Sequence, residues 1–179
     1  MNKKWHRWFN TTVSGVVMAG LILASSFGYD KYIELDSKET YSTEMVQITE
    51  DESFRRCAYN DSLGYRTIGF GHLVKPTEEF GQCINMSEAF DMLNKDYYGA
   101  VSEVEHNYPW AEGEVKLVLI NMTYQLGTTR LAKFEGTLDA LKQEDYRLAA
   151  LEMLDSIWAK QTPNRAMRLA VRILSLQEI

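Results

Sequence analysis

The run Glu52-Ser53-Phe54-Arg55-Arg56-Cys57-Ala58-Tyr59-Asn60-Asp61-Ser62-Leu63-Gly64-Tyr65-Arg66-Thr67-Ile68-Gly69-Phe70-Gly71-His72 decides how this chain is read. Just upstream, Ser42 precedes Glu44, Met45, Ile48 and Glu52. Serine is a favoured helix cap, and the apolar positions recur three or four apart. The spacing therefore predicts a short helix that ends at Glu52. Phe54 to Tyr59 reads as extended. Asn60-Asp61-Ser62-Leu63-Gly64 is turn chemistry, because Asn, Asp and Gly accept left-handed or hydrogen-bonded turn conformations. Tyr65 to Phe70 returns as a second strand. A hairpin that follows a helix brings Asp61 and Thr67 back toward the helix end carrying Glu52.

Two carboxylates and a hydroxyl in that arrangement have a chemical meaning. Cleaving a glycosidic bond needs acidic groups on opposite faces of a sugar ring and a way to aim a water. Taken singly, Asp61 reads as a turn residue and Glu52 as a solvated helix carboxylate. The combination is far more specific than either residue.

The spacing Glu52, eight residues, Asp61, five residues, Thr67, closed by Thr67-Ile68-Gly69-Phe70-Gly71-His72, resembles the catalytic core of the phage lysozymes of the T-even type. Leu119-Ile120-Asn121-Met122-Thr123-Tyr124-Gln125-Leu126-Gly127 resembles that family's central core helix. Trp158-Ala159-Lys160-Gln161-Thr162-Pro163-Asn164-Arg165-Ala166 resembles its signature near the C-terminus. The three blocks occur in the same order over roughly Ser42 to Leu174, and the likeness touches none of the first 40 residues.

The resemblance implies an α+β fold, mostly α, with two lobes: a small β-hairpin lobe joined by a long helix to a helical lobe. It implies a muramidase that hydrolyses the β-1,4 bond between N-acetylmuramic acid and N-acetylglucosamine of peptidoglycan, with inversion at the anomeric carbon. By position, Glu52 is the general acid, Asp61 stabilises charge on the sugar and helps orient the water, and Thr67 holds that water. Arg165 matches the arginine that pairs with the catalytic glutamate. Gly71, Leu73, Tyr124 and Gln125 match positions lining the sugar cleft, although Tyr124 reads equally well as a core residue. His72 and Asp96 match a structural histidine–aspartate pair. Cys57 and Cys83 fall where the family fold brings them close enough for a disulfide; two unpaired buried thiols are the other reading. No cofactor is implied. With three His and no ligand spacing, the chain gives no reason to expect a metal.

After Lys75-Pro76-Thr77, read as a turn, Ser87 caps a long amphipathic helix running to about Asn107, with Phe90, Leu93, Tyr97, Ala100, Val101 and Val104 at helical spacing. The stretch between His72 and Ser87 leaves no room for the extra helix of the family's small lobe, so a reduced lobe is expected. From Glu112 onward the pattern is helical. Val115, Leu117, Val118, Leu119, Ile120 and Met122 make a helix apolar nearly all round, hence buried. Asp145 to Ser156 and Pro163 to Leu174 read as amphipathic helices, and Pro163 suits a first turn.

The N-terminus carries a different pattern. Lys3, Lys4 and Arg7 precede Thr11 to Phe27, which has no charged side chain, and Asp30 opens a polar, acidic stretch. The basic flank predicts a cytoplasmic N-terminus with the rest outside. As a helix the run reaches about 26 Å, the lower limit for spanning. It is diluted by Thr, Ser and Gly. It fits a cleaved signal peptide with Ala24-Ser25-Ser26 as its site, a permanent anchor, or a signal-anchor-release segment as in some phage endolysins. The release reading is favoured, because a wall hydrolase must be withheld from its substrate and small polar residues ease exit from a bilayer. The expected domains are therefore residues 1–40, a membrane segment with its linker, and residues 41–179, the catalytic domain. The expected setting is a phage or prophage of Gram-negative bacteria: first the host inner membrane, held through residues 11–27 with the catalytic domain facing the periplasm, then the periplasm. Activation by thiol exchange from the membrane segment is not expected, because that segment has no cysteine.

The formal net charge is −6, and the first 40 residues hold five Lys/Arg against four Asp/Glu, so the remainder carries −7. That balance argues against nucleic acid, which wants a basic face. Peptidoglycan is the expected partner, and a monomer the expected state after release. Two alternatives stand beside the muramidase. A lytic transglycosylase needs one acid and no water-aiming pair, which Asp61 and Thr67 oppose. A catalytically inactive, membrane-anchored peptidoglycan-binding protein would not require Glu52, Asp61, Thr67 and Arg165 together.

Overall fold

The computed structural model describes residues 43–61, 64–78 and 83–178, which belong to a compact unit spanning Thr40–Ile179. The expected membrane segment, the Ser42 cap and the Ser62-Leu63 centre of the turn lie outside the described residues. Among the described residues, no helix is long and apolar enough to cross a membrane.

The first helix, α1, is Thr43–Glu52, with Met45 and Ile48 buried. It ends because Ser53 takes a left-handed conformation, φ 57°, while its N–H still reaches Thr49 O at 3.2 Å. A left-handed residue is the common helix stop, and glycine is the usual occupant. The reversal sends the chain straight into the sheet. Strands β1 (Arg55–Asn60), β2 (Arg66–Gly69) and β3 (His72–Leu73) form one antiparallel sheet in that order. The sequence predicts two strands. The third has two residues, too few to show any periodicity. Asp61 closes the first turn: its N–H bonds Tyr65 O at 2.8 Å, and its Oδ1 accepts from Tyr65 N at 2.8 Å. The register slips between Arg55 and Tyr59, and within that slip Cys57 bridges Cys83 by a disulfide. The described residues between β3 and α2 form no helix.

The long helix, α2, runs Met86–Asn107. Its cap is not Ser87, which lies inside the first turn, but Asn85. Asn85 Oδ1 accepts from Glu88 N at 3.0 Å and Glu88 Oε2 accepts from Asn85 N at 2.7 Å, a reciprocal capping box.

The remaining helices are α3 (Gly113–Leu126), α4 (Thr128–Leu131), α5 (Glu135–Lys142), α6 (Tyr146–Leu154), α7 (Ile157–Gln161) and α8 (Pro163–Leu174), closed by a 3₁₀ turn at Ser175–Glu178. The expected helix from Asp145 to Ser156 is shorter at both ends. Asp145 is the cap of α6, accepting from Leu148 N, and Ser156 is the cap of α7, accepting from Ala159 N. α8 packs on α6, α7 and α3, and α2 lies against both α3 and the sheet. The core is centred on Val104, Val118, Leu119, Met122, Leu131, Met153, Leu169 and Ile173, all fully buried. Truncating any of the large ones to Ala costs about 2–5 kcal/mol. The molecule is thus mostly helical with a small antiparallel sheet, the α+β class that the sequence predicts. α2 and α3 connect the sheet to the helical body.

Candidate active site

Glu52 occupies the last position of α1, where the helix gives way to the sheet. Two neighbours define its place. Gly71 lies directly behind the carboxylate: a Cβ there would come within 2.9 Å of Glu52 Oε2, and φ is +82°, a conformation that side chains resist. Arg165, at the start of α8, donates from Nη1 to Glu52 Oε1 at 2.6 Å. The arginine is only 5 % exposed and the glutamate lies partly open, so this is a partly buried charged hydrogen bond rather than a surface pair.

Arg165 is itself gripped from several sides. Its Nε donates to Asn121 Oδ1 at 2.7 Å and its Nη2 to Asn121 O at 3.1 Å, while Asp51 Oδ2 lies 3.3 Å from Nε. The network extends further. Asn121 Nδ2 donates to Glu44 Oε1 at 2.6 Å, Arg172 Nη2 donates to Glu44 Oε2 at 2.7 Å, and Arg172 Nε bonds Glu114. Arg168 Nη2 holds both oxygens of Asp51. Burial works against the charge of Arg172, but its bonds to Glu44 and Glu114 win and hold its pKa above the ordinary value. The acids Glu44, Asp51 and Glu52 of α1 thus meet Arg172, Arg168 and Arg165 of α8, in antiparallel order.

The sheet presents the other groups. Thr67 is directly opposite Tyr59 on one side and Leu73 on the other. Residues directly opposite in an antiparallel pair share a face, so Tyr59, Thr67 and Leu73 form one row across it. Thr67 is buried, and its hydroxyl donates to Tyr65 O at 3.1 Å. A hydroxyl that donates one hydrogen bond can also accept another. Asp61 lies two residues beyond Tyr59. The Tyr59 phenol is held above its ordinary pKa, first by burial and then by the negative charges of Glu52 and Asp61, with Arg55 opposing. Both carboxylates therefore act on the same ring. The Arg55 guanidinium sits 5.1 Å from its centre, a cation–π distance. Leu73 is half exposed on this row.

Tyr124 and Gln125 stand at the end of α3, and each is tied to the fold. The Tyr124 hydroxyl donates to Phe70 O at 2.7 Å, and burial pushes its pKa far above the usual tyrosine value. Gln125 Oε1 accepts from Trp158 Nε1 at 2.7 Å. His72 is buried apart from the row that carries Thr67. Its Nδ1 lies 2.6 Å from Asp96 and its Nε2 3.0 Å from Glu78. The bond to Asp96 is the main cause that raises its pKa, burial works against it, and Glu78 adds to it. Glu78 is held down at about 2, first by the Lys75 N–H and then by His72.

Sequence reasoning missed Glu44, Asp51, Asn121, Arg168, Arg172, Glu114 and Glu78. Part of the signal was present. Acids at 44, 51 and 52 and arginines at 165, 168 and 172 each fall on one helical face, and Asn121 is a polar residue inside an apolar helix. The pairing itself needs the fold. Among the described residues, no group of three or more His, Cys, Asp or Glu is placed to hold a metal.

A helix-end glutamate, held by an arginine beside a small sheet in an α+β frame, is the arrangement that the resemblance to the lysozymes implies. The chain matches the phage lysozyme family model over residues 49–172 and belongs to that family. It is 30% identical over 145 residues to "Probable T4-type lysozyme 1" of Dictyostelium discoideum, covering 66% of this chain and 85% of that protein. It is 27% identical over 166 residues to the "Pre-baseplate central spike protein Gp5" of Enterobacteria phage T4, covering 78% of this chain and 28% of that protein. It is 26% identical over 124 residues to the "Peptidoglycan hydrolase gp36" of Pseudomonas phage phiKMV, covering 67% of this chain and 14% of that protein.

Proposed function

We propose that this protein is an endolysin that hydrolyses the β-1,4 bond between N-acetylmuramic acid and N-acetylglucosamine of peptidoglycan, with inversion, and so lyses its host. The observation that carries this reading is the Glu52 carboxylate, bonded by Arg165 on one side and backed on the other by Gly71, which has no side chain to cover it. Peptidoglycan as substrate draws support from the names of the relatives, one of which is a peptidoglycan hydrolase.

In this mechanism Glu52 gives its proton to the leaving glycosidic oxygen. A sugar seated over the carboxyl excludes water, and desolvation favours the protonated form that a general acid needs. Asp61 stabilises positive charge at the anomeric carbon, helps orient the attacking water and takes up the proton that the water loses as it adds. Thr67 accepts a hydrogen bond from the attacking water, which adds from the face opposite the leaving group. Gly71, Leu73, Tyr124 and Gln125 border the sugar. Residues 11–27 keep the enzyme at the host inner membrane, with its catalytic domain toward the periplasm, until release frees a monomer.

The test uses a chain starting at Thr40, with and without Glu52→Gln, incubated with purified peptidoglycan. New reducing N-acetylmuramic acid ends are expected by mass spectrometry, with a rate loss of about 100-fold or more in the variant. A fully active variant would sink the mechanism, and 1,6-anhydro ends would make the enzyme a lytic transglycosylase. Membrane retention is checked separately: full-length protein embedded in vesicles is expected to cleave peptidoglycan far more slowly than the same chain once released.

A further inference from the structure

Glu44 and Glu52 sit at opposite ends of α1, roughly 12 Å apart along the helix, yet side chains join them. Arg172 donates to one Glu44 oxygen and Asn121 Nδ2 to the other; Asn121 Oδ1 accepts from Arg165, and Arg165 donates to Glu52. Every charged member has a fixed polarity. Guanidinium groups only donate and an ionised carboxylate only accepts. The Asn121 amide is the one link with both kinds of end, so its orientation decides whether Arg165 Nε faces an acceptor or a donor there, beside the Asp51 carboxylate 3.3 Å away. Glu44 is 3 % exposed, Asn121 fully buried and Arg165 5 % exposed, which leaves little room for water to stand in for a lost partner.

We propose that Glu44 is a positioning residue for the reaction: by accepting from the Asn121 amide it turns the amide oxygen toward Arg165 and so aims Arg165 Nη1 at Glu52. This rests on the reading of Glu52 as the acid. A buried carboxylate paired with an arginine is weak support for stability, since an apolar pair of the same volume serves as well or better. Its place in a polarity chain ending at Glu52 gives it a use that packing does not.

The chemistry makes the idea breakable. In Glu44→Gln the new amide has one acceptor, which Arg172 takes because it can only donate. The remaining NH₂ then faces the NH₂ of Asn121. The Asn121 amide turns over, its NH₂ meets Arg165 Nε, and two donors oppose each other. The guanidinium is displaced from Glu52. Adding Asn121→Asp repairs the chain, because the introduced carboxylate accepts from both the NH₂ of the introduced amide and Arg165 Nε, with the same total charge as the natural protein.

The experiment compares the full chain, Glu44→Gln and the double variant Glu44→Gln/Asn121→Asp. Two quantities are read: kcat/KM on peptidoglycan, and the NMR resonance and exchange protection of the Arg165 Nε–H. Loss of one charge-assisted hydrogen bond predicts a fall in kcat/KM on the order of tenfold for the single variant, with its Nε–H shifted and exchanging fast. The double variant is expected to regain activity to within about threefold and to restore the protected Nε–H. A Glu44→Gln protein with natural activity and an unmoved Nε–H overturns the proposal, as does a double variant no better than the single. Should the single variant fail to fold, the double still decides: natural activity with a protected Nε–H supports the proposal, and their loss refutes it. If the natural chain itself makes no reducing ends, the functional reading fails, while the Nε–H signal still reports whether Glu44 sets the amide.

Discussion

The two sides of Glu52 are held in different ways. On one side the sheet has strands of six, four and two residues, its first strand is largely exposed, and its register slips between Arg55 and Tyr59. It is tied down by backbone bonds and the Cys57–Cys83 disulfide. On the other side the helical body offers buried side chains: Arg165 with Asp51, Glu52 and Asn121, and beyond them Glu44 and Arg172. The sheet places its groups by strand parity and by a glycine that leaves room. The helices place theirs by matching charge in a dry interior. The first device tolerates changes in side chains that keep the backbone. The second tolerates almost none, because each lost partner leaves a buried charge behind.

Removing the cation at the junction should have the largest effect. Arg165→Met strips Asp51 and Glu52 of a shared partner, and a loss of about 3–5 kcal/mol is expected in urea unfolding. A loss under about 1 kcal/mol would mean that the helical side is no more fixed than a surface pair. The sheet side is broken next. Cys57→Ser with Cys83→Ser should cost about 2–4 kcal/mol. Hydrogen exchange should rise in β1 and β2 while α3 and α8 keep their protection. Equal loosening of all four would erase the contrast between the two sides.

The link from β3 to α2 offers a pH test. The pKa of His72 is raised when folded, so its stabilisation is complete below the ordinary histidine value of about 6.5 and is lost as pH climbs through the folded value. Glu78 runs the other way. Its contribution is complete above 4.5, the ordinary value, and is lost as pH falls toward about 2. Stability should therefore be highest between about 4.5 and 6.5 as far as these two groups decide it. His72→Gln should flatten the alkaline decline in chemical unfolding measured from pH 5 to 9; an unchanged decline would remove His72 as its cause. The smallest effect is a gain. Among the described residues, the buried Thr123 Oγ1 of α3 finds no hydrogen-bond partner. Thr123→Val should stabilise by about 1 kcal/mol, and a loss would show that the hydroxyl has a use.

Much of this was legible in the sequence, because it is written in short-range patterns. α1 and its end at Glu52 follow from spacing. The first hairpin follows from Asn60, Asp61 and Gly64 between two β-rich runs. α3 follows from an apolar run without a polar face, and α8 from Pro163 at its start. Where two local signals competed, the sequence misled: Asn85 and Ser87 are both good caps, and the reciprocal bond with Glu88 decided for Asn85. β3 was invisible because a two-residue strand exists only by pairing with β2.

The sequence by itself determined where the helices and the first turn fall, and which residue types could do acid–base work, since those depend on neighbours a few positions away. Only the tertiary structure decided which charges meet. Glu44 finds Asn121 and Arg172 across 77 and 128 positions, and Arg165 finds Glu52 across 113. Ion pairing depends on which helix faces come together in the interior, and no local pattern records that.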